Sequence, residues 1–168
     1  IRATVIGASQ FSVQVSGKTI HLSDNVDLPV RNVPVVFPSL ALHRDFDADS
    51  VAAAIGAAME RADADASQPI AVGIRWHGDP YYFRLRELAE GIAQAIGFKT
   101  TLPLILMVDG DIGKLLGHIL EHDLRVTREI ISIDGIQLRE FDYVDIGEAI
   151  HPTGVVPVII KSLLFPGR

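Results

Sequence analysis

The sequence contains no cysteine, few aromatic residues and no excess of positive charge. Without cysteine the chain has no disulfide bridges, thiolate metal sites or cysteine nucleophiles. Its 15 basic and 21 acidic side chains give a net charge of −6 over 168 residues. Because phosphate binding requires a basic face, this balance argues against a nucleic-acid partner.

Long hydrophobic runs are missing as well. The longest apolar stretches, at 102–108 and 155–165, are too short or too interrupted to span a membrane, so we expect no membrane association. Together with the lack of cysteine, this predicts a cytoplasmic protein. The composition, with 48% hydrophobic and 21% charged residues, is typical of a globular protein, and the length favours one domain over residues 1–168.

The pattern of apolar residues predicts the order of the secondary-structure elements. Three short alternating stretches at the start favour an antiparallel meander of three strands. Strands and helices then alternate, and Asp134-Gly135 is a typical two-residue hairpin turn between two further strands. The predicted strands are 4–6, 11–15, 19–22, 33–37, 69–76, 101–108, 129–133, 136–138 and 155–165. The predicted helices are 47–64, with one apolar face and Asp47 or Asp49 as its cap, 79–97 and 112–120. The continuous apolar run at 101–108 suits a strand that is covered on both faces.

An antiparallel meander followed by alternating α/β elements is the layout of the ribonuclease-H-like half-domain. Two such halves build the ATPase fold shared by actin, sugar kinases and heat-shock chaperones. The expected fold class is therefore α/β, with a mixed sheet flanked by helices. Residues 1–6 already have the pattern of a strand, so we expect the chain to be a piece of a longer polypeptide. Analogy of fold does not by itself establish an activity.

The segment VDGDIGK, residues 108–114, joins the most apolar strand to a helix. Free N–H groups at a helix start attract anions, and glycine allows a ligand to approach the backbone closely. In open α/β sheets, ligands gather at the carboxyl ends of strands. A ligand-binding turn is one interpretation; the other is that Asp111 only caps the helix and Gly110 only relieves the turn. The glycine spacing and the missing Lys-Ser/Thr pair exclude a P-loop.

The segment Gly7-Ala8-Ser9-Gln10 separates the first two predicted strands. In the ATPase fold, the corresponding hairpin turn contacts nucleotide phosphates through its backbone. Enzymes of that fold usually carry an acidic residue beside the turn to hold metal-bound water, whereas the flanking residues here are Val5, Ile6, Phe11 and Ser12. A plain hairpin turn is the alternative interpretation.

Two other segments could take part in binding. Residues 76–82, WHGDPYY, follow another predicted strand and either contact a ligand or pack over the sheet edge. His118 and His122 are four residues apart on a helix beside Glu121, a spacing that can present two metal ligands on one face. Without a third ligand or an HExxH pattern, a pair of solvated or helix-end histidines is the favoured interpretation.

Several stretches of the sequence together resemble one family. They are RATVIGASQFSVQVSGKTI, LPVRNVPV, VDGDIGKLLG, and SIDGIQLREFDYVDIGEAI followed by VVPVIIKSLLF. Over nearly its whole length the chain is similar to the ethanolamine utilisation EutA family, the reactivating factors of ethanolamine ammonia-lyase. The resemblance indicates the C-terminal, ATPase-like half of that family's longer chain.

The resemblance implies a molecular chaperone whose partner is a cobalamin enzyme. Members of the family use ATP and Mg²⁺ to release damaged cobalamin from the lyase, so that an intact cofactor can bind. The resemblance also implies that two nucleotide-contacting turns are present, with no catalytic residue and no metal ligand in this chain. The implied nucleotide-binding residues are Gly7, Ala8, Ser9 and Gln10 in the phosphate turn, and Gly110, Asp111, Ile112, Gly113 and Lys114 in the adenosine turn.

Two departures from the family pattern bear on ATP hydrolysis. The first phosphate turn lies outside this chain, and the acidic residue usual beside the second one is absent. ATPase activity is therefore expected only in the full-length protein. Two alternatives stay open: a small-molecule kinase of the same fold, with Asp109 or Asp111 as general base, and a non-catalytic module that only docks a partner.

Overall fold

The computed structural model describes residues 5–6, 8–16, 20–64, 67–98, 100–139 and 142–164. Within these residues the chain forms nine strands and three α-helices. The strands are β1 Val5–Ile6, β2 Ala8–Ser16, β3 Ile20–Leu22, β4 Val30–Val36, β5 Ile70–Arg75, β6 Leu104–Asp109, β7 Ile130–Asp134, β8 Tyr143–Ile146 and β9 Pro157–Leu164. The helices are α1 Ala48–Arg61, α2 Tyr82–Ile92 and α3 Gly113–His118, and π-helical turns at Ala93–Gly97 and Ile119–Asp123 continue α2 and α3.

All nine strands belong to one mixed sheet with the order β1-β2-β9-β8-β4-β5-β6-β7-β3. Strands β4, β5, β6 and β7 are parallel neighbours, in the same order as along the chain. The other pairs are antiparallel. The prediction of an α/β protein with a mixed sheet flanked by helices is confirmed at this level.

The predicted three-strand meander is wrong in its pairing. Strand β3 does not lie beside β2; it pairs with β7 at the far edge of the sheet, with Ile20 opposite Ile133. Two hydrogen bonds extend this pairing, since Ser23 N–H donates to the Ile130 carbonyl at 3.0 Å and Ile130 N–H donates to the Ser23 side-chain Oγ at 2.9 Å. Alternation along a three-residue strand shows which residues share a face, but it does not select the partner strand.

Apolar side chains cover both faces of the parallel strands. On β6, Leu104, Leu106 and Val108 pack in a core with buried residues from all three helices. Ile105 and Met107 point to the opposite face and pack in a second core with residues of β8 and β9. The sheet therefore curls, so that its antiparallel part covers the face that the helices leave open. This confirms the expectation, drawn from the continuous apolar run, that β6 is covered on both sides.

The curl begins at a bulge in β4. Val30 pairs with Ile146 and Val33 pairs with Val144, so β4 contains one more residue than β8 across this interval. Asn32, inside the bulge, has a positive φ of 55°. Beyond it, Val35 and Val36 pair with β5. A bulge bends its strand and increases the local twist, so β4 changes direction between its two partners.

Three polar residues hold the bulge in place. Asn32 N–H donates to Asp145 Oδ1 at 2.7 Å, Lys161 Nζ donates to Asn32 Oδ1 at 2.8 Å, and Lys161 Nζ lies 2.7 Å from Asp145 Oδ2. Partial burial raises the pKa of the Asp145 carboxyl, but the hydrogen bonds and the Lys161 charge outweigh it and leave the pKa below its usual value.

The predicted hairpin at Asp134-Gly135 is also wrong. The chain does turn there, and Gly135 has a φ of 72°. However, Ile136 N–H donates to the Val108 carbonyl of β6 at 3.0 Å instead of pairing with β7. The Asp134-Gly135 pair correctly predicted a turn. The direction of the chain after the turn is set by the hydrogen bond from Ile136 to the Val108 carbonyl at the end of β6.

A buried arginine connects three segments at the opposite end of the parallel strands. Arg128 donates from Nε to the Leu102 carbonyl at 2.7 Å, from Nη1 to the Ile96 carbonyl at 2.7 Å, and from Nη2 to the Pro103 carbonyl at 2.8 Å. Burial lowers the pKa of Arg128 from its ordinary value. These carbonyl dipoles replace water around the guanidinium, so the charge is tolerated in a site that is 8% exposed.

Helices α1 and α2 approach each other closely at a glycine. Asp47 caps α1 as predicted, accepting a hydrogen bond from Ser50 N–H at 2.8 Å. A Cβ added to Gly91 of α2 would overlap Val51 Cβ and lie 2.7 Å from the Ala48 carbonyl oxygen. The contact between the helices therefore requires a residue without a side chain at position 91.

We expect Gly91→Ala to lower the free energy of unfolding by about 1–3 kcal/mol, because the added methyl overpacks the α1–α2 contact. Gly56→Ala is the matched control: it lies in α1, and a Cβ there has no heavy atom within 4 Å. The control should raise stability by up to about 1 kcal/mol through helix propensity. Urea denaturation of both variants checks the pair, and equal stability of the two would contradict the packing argument.

A cluster of histidines attaches the edge strand β3 to the end of α3. His21 Nε2 and His122 Nε2 lie 3.2 Å and 3.1 Å from Glu121 Oε2, and the His118 and His122 rings are 4.6 Å apart. Ser23 Oγ donates a short hydrogen bond to Glu121 Oε1. The geometry between His21 Nε2 and Glu121 is not that of an aligned hydrogen bond. Burial lowers the pKa of His21, although Glu121 opposes the shift.

The lowered pKa predicts that acid weakens this attachment. Because the folded state favours neutral His21, its contribution is fully present above the unfolded pKa of about 6.5 and is lost as the pH falls below it. We therefore expect the free energy of unfolding to decrease between about pH 7.5 and about pH 5.5. The pKa of Glu121 is also lowered, despite its partial burial, by Ser23 and the histidines, so its contribution is lost only at still lower pH.

Urea denaturation across this pH range is the measurement. His21→Asn should flatten the dependence, whereas His43→Asn, in an exposed loop, should leave it as in the wild type. An unchanged slope in His21→Asn would show that another group is responsible.

Candidate functional site

The carboxyl ends of the four parallel strands lie along one rim of the sheet. The residues that follow these strands are Phe37, Trp76, Gly110 and Gly135. Loops at such a rim commonly form ligand sites in open α/β sheets, because neighbouring strands deliver them side by side. The turn at 108–114 and the segment at 76–82 are therefore brought together at this rim.

The turn after β6 is bracketed by its neighbours on both sides. Trp76 N–H donates to the Asp109 carbonyl at 3.0 Å, and Gly135 N–H donates to the Gly110 carbonyl at 3.2 Å. Gly110 has a φ of 152°, and an added Cβ would lie 2.9 Å from Trp76 Cβ. Glycine is required at 110 by the protein's own packing as well as by its backbone conformation.

The start of α3 is fixed against the sheet. A Cβ at Gly113 would lie 2.8 Å from the Asp134 backbone nitrogen, and Ser132 Oγ donates to the Gly113 carbonyl at 2.6 Å. Ile112 occupies the N-cap position without a side-chain cap and is buried in the helix-side core. The alternative in which Asp111 caps the helix is therefore wrong, because Asp111 precedes the cap and is exposed.

The accessible part of this turn is smaller than its sequence suggested. Gly110 is half-buried, Asp111 and Lys114 are exposed, and Ile112 and Gly113 are buried. A ligand above the rim can reach the first three residues. The buried residues Ile112 and Gly113 hold the turn in position from the side of the protein core.

The predicted phosphate turn lies near the opposite edge of the sheet. Ala8, Ser9 and Gln10 belong to strand β2 instead of to a turn, and Gly7 lies outside the described residues. The antiparallel pairings through β9 and β8 bring the start of β2 to the same rim at which β6 ends. Five strand steps separate β2 from β6, which is about 24 Å along the sheet at the usual strand spacing. The curl of the sheet makes the direct path shorter than this.

The loop of residues 76–81, which we call the Trp76 loop, packs over the rim. The Arg84 guanidinium lies 4.6 Å from the Trp76 ring centroid and donates from Nη1 to the His77 and Asp79 carbonyls at 2.8 and 2.9 Å. Its Nη2 donates to the Leu42 carbonyl. One partly buried cation thus fixes two loops. Tyr81, next along the chain, is exposed.

A cleft that the sequence analysis missed adjoins this loop. It has a volume of about 460 Å³, and we call it the arginine cleft. Its lining residues are Phe37, Pro38, Ser39, Leu40, Arg61, Arg75, His77, Leu138 and Arg139. They come from four separate segments, so spacing along the sequence could not reveal the group. The only available signal was Arg75, a charged residue at the carboxyl end of an otherwise apolar strand.

The two histidines four residues apart, His118 and His122, belong to no metal-binding group among the described residues. In the described ranges, no group of three or more histidine, aspartate or glutamate side chains is arranged to hold a metal ion. His118 and His122 are exposed and lie in the cluster that attaches β3. No helix among the described residues is both long and apolar enough to cross a bilayer.

Comparisons with known proteins identify the family. The family model described as ethanolamine utilisation protein EutA matches residues 1–166. Two similar relatives are named ethanolamine ammonia-lyase reactivase EutA. The one from Escherichia coli strain K12 is 32% identical and the one from Salmonella typhimurium strain LT2 is 34% identical, each over 99% of this chain.

The chain spans about a third, 34%, of the length of these two relatives. No solved structure matches it significantly. A family model that covers nearly every residue, and relatives above 30% identity along the whole chain, agree with each other. The chain therefore belongs to the EutA family of ethanolamine utilisation proteins.

Proposed function

We propose that this chain is one part of a cytoplasmic reactivating factor that uses ATP to release damaged cobalamin from ethanolamine ammonia-lyase. The observation that carries the proposal is the similarity, over 99% of the chain, to two proteins named as reactivases of that lyase. Because the chain spans about a third of their length, the activity belongs to the longer protein and this part contributes to it.

The fold supports a nucleotide-binding half-domain related to actin and the heat-shock chaperones. Antiparallel strands join a run of alternating strands and helices in one mixed sheet. The start of β2 and the end of β6 lie at the same rim of the sheet. Two features differ from the expected layout: β3 lies beside β7, and all three helices pack on one face.

The residues of the adenosine turn fit a nucleotide only in part. Gly110, Asp111 and Lys114 are accessible, and we assign them the contacts with the ligand. Ile112 and Gly113 are buried, so their role is to keep the turn rigid. The implied Mg²⁺ has no set of ligands in the described residues, and no step is assigned to it.

The mechanism is mechanical and requires no nucleophile in this chain. A nucleotide held between this body and the remainder of the protein favours one relative orientation of the two. The lyase is then loosened only to the extent that the two orientations differ in affinity for it. Gly113 packs against Asp134, and the turn at Gly110 contacts Trp76 on one side and Gly135 on the other. A force at the turn is therefore transmitted directly to β6 and β7.

The isolated chain should bind ATP too weakly to measure at tens of micromolar, because half of a shared site still carries the full entropic cost of association. Isothermal titration calorimetry of the chain with ATP checks this. The full-length protein in the same buffer is the positive control. Micromolar binding by the isolated chain would contradict the shared-site arrangement.

The full-length protein, mixed with inactivated lyase, ATP and fresh adenosylcobalamin, should restore ethanolamine deamination. Omitting ATP should abolish recovery. Lys114→Gln should slow the ATP-dependent recovery about tenfold, which corresponds to a lost charged hydrogen bond of about 1.4 kcal/mol.

Arg31→Gln is the matched control for Lys114→Gln. It removes the same charge from the exposed side of β4, outside both the turn and the arginine cleft, and should recover activity like the wild type. Recovery that proceeds equally well without ATP would leave only partner docking as the function.

A further inference from the structure

The arginine cleft concentrates positive charge in an acidic protein. Arg61, Arg75 and Arg139 line it, and its described lining includes no aspartate or glutamate. The chain as a whole carries a net charge of −6. Three guanidinium groups around one cavity therefore oppose the overall charge and create a local field that attracts anions.

Stacking positions the first of these cations. The Arg75 guanidinium lies 5.1 Å from the Phe37 ring centroid. Phe37 in turn lies over Gly73, where an added Cβ would be 2.6 Å from Phe37 Cδ2. A ring that covers one face of the guanidinium leaves its N–H edge able to donate hydrogen bonds.

The segments that carry Arg61, His77 and Arg139 are held by contacts of their own. Arg61 Nη2 donates to the Phe37 carbonyl at 3.4 Å, which places the end of α1 on the cleft wall. The His77 carbonyl accepts from Arg84, and the Arg139 N–H donates to Asp142 Oδ2 at 2.8 Å. Because each segment is fixed independently of a ligand, binding costs little ordering of the backbone.

The chemistry of the lining defines the ligand. Guanidinium groups match the oxygen geometry of phosphate, and three of them suit a dianion better than a single carboxylate. Pro38, Leu40 and Leu138 provide an apolar wall for an organic group. The volume of about 460 Å³ lies in the range of small-molecule sites.

We propose that the arginine cleft binds a small phosphorylated organic molecule, with its phosphate on the arginines and its organic part against Leu40 and Leu138. This site is distinct from the adenosine turn, because its described lining includes none of residues 110–114 and does not include Trp76, the residue that packs against Gly110. The proposal goes beyond ATP-dependent reactivation and adds a second ligand to the protein.

Titration calorimetry of the full-length protein with three probes tests the proposal. Phenyl phosphate carries both required parts, inorganic phosphate lacks the organic part, and benzoate replaces the phosphate with a carboxylate. We expect phenyl phosphate to bind at least tenfold more tightly than either of the others. Amide NMR shifts in the 168-residue chain should then map to Ser39, Leu40 and His77, and not to residues 110–114.

The double variant Arg75→Gln/Arg139→Gln should weaken phenyl phosphate binding at least tenfold, while Arg31→Gln, which removes a charge outside the cleft, should weaken it less than twofold. Circular dichroism confirms that the variants are folded. Equal loss in the double variant and the control, equal binding of all three probes, or no binding of phenyl phosphate at millimolar concentration would each overturn the proposal.

Discussion

The whole architecture depends on strand β4, which pairs with two different partners along its length. Residues 30–34 pair antiparallel with β8 and residues 35–36 pair parallel with β5, and the Asn32 bulge lies within the part that pairs with β8. The Asn32–Asp145–Lys161 contacts secure the change of direction. Because β4 is shared, the antiparallel part can fold over the parallel part without leaving the sheet, and the second core forms between them.

Much of the fold followed from local chemistry. The Asp47 cap, the faces of α1 and the apolar run of β6 are short-range signals, and each appears in the structure. The pairing of β3 with β7 and the path of Ile136 towards β6 were not predictable, because both depend on groups more than 20 residues away. Periodicity shows how a segment is buried and leaves its partner unspecified.

The candidate site shows the same division. The sequence marked residues 108–114 as the passage from a strand end into a helix, which is correct. It could not show that Asp134 occupies the space beside Gly113, since that contact joins α3 to β7. Arg61, Arg75 and Arg139 each have an ordinary sequence context and form a group only after the sheet curls.

The family match gives the chain its biological setting, and the structure suggests how such a part can work in a larger protein. Two cores on opposite faces of one sheet make a stiff body, so movement at the rim is passed to the whole body. The accessible groups at the rim come from loops whose backbones are already held, as Arg84 shows for the Trp76 loop.

The uninterrupted order β4-β5-β6-β7 has an evolutionary consequence. In doubly wound proteins the ligand enters a crevice where successive helices part to opposite sides of the sheet. The described helices all cover one side of the sheet, so they form no crevice of this kind. A change of ligand preference would therefore be made in the loops after β4 and β5 and in the segment 136–139, while the helical layer could stay as it is.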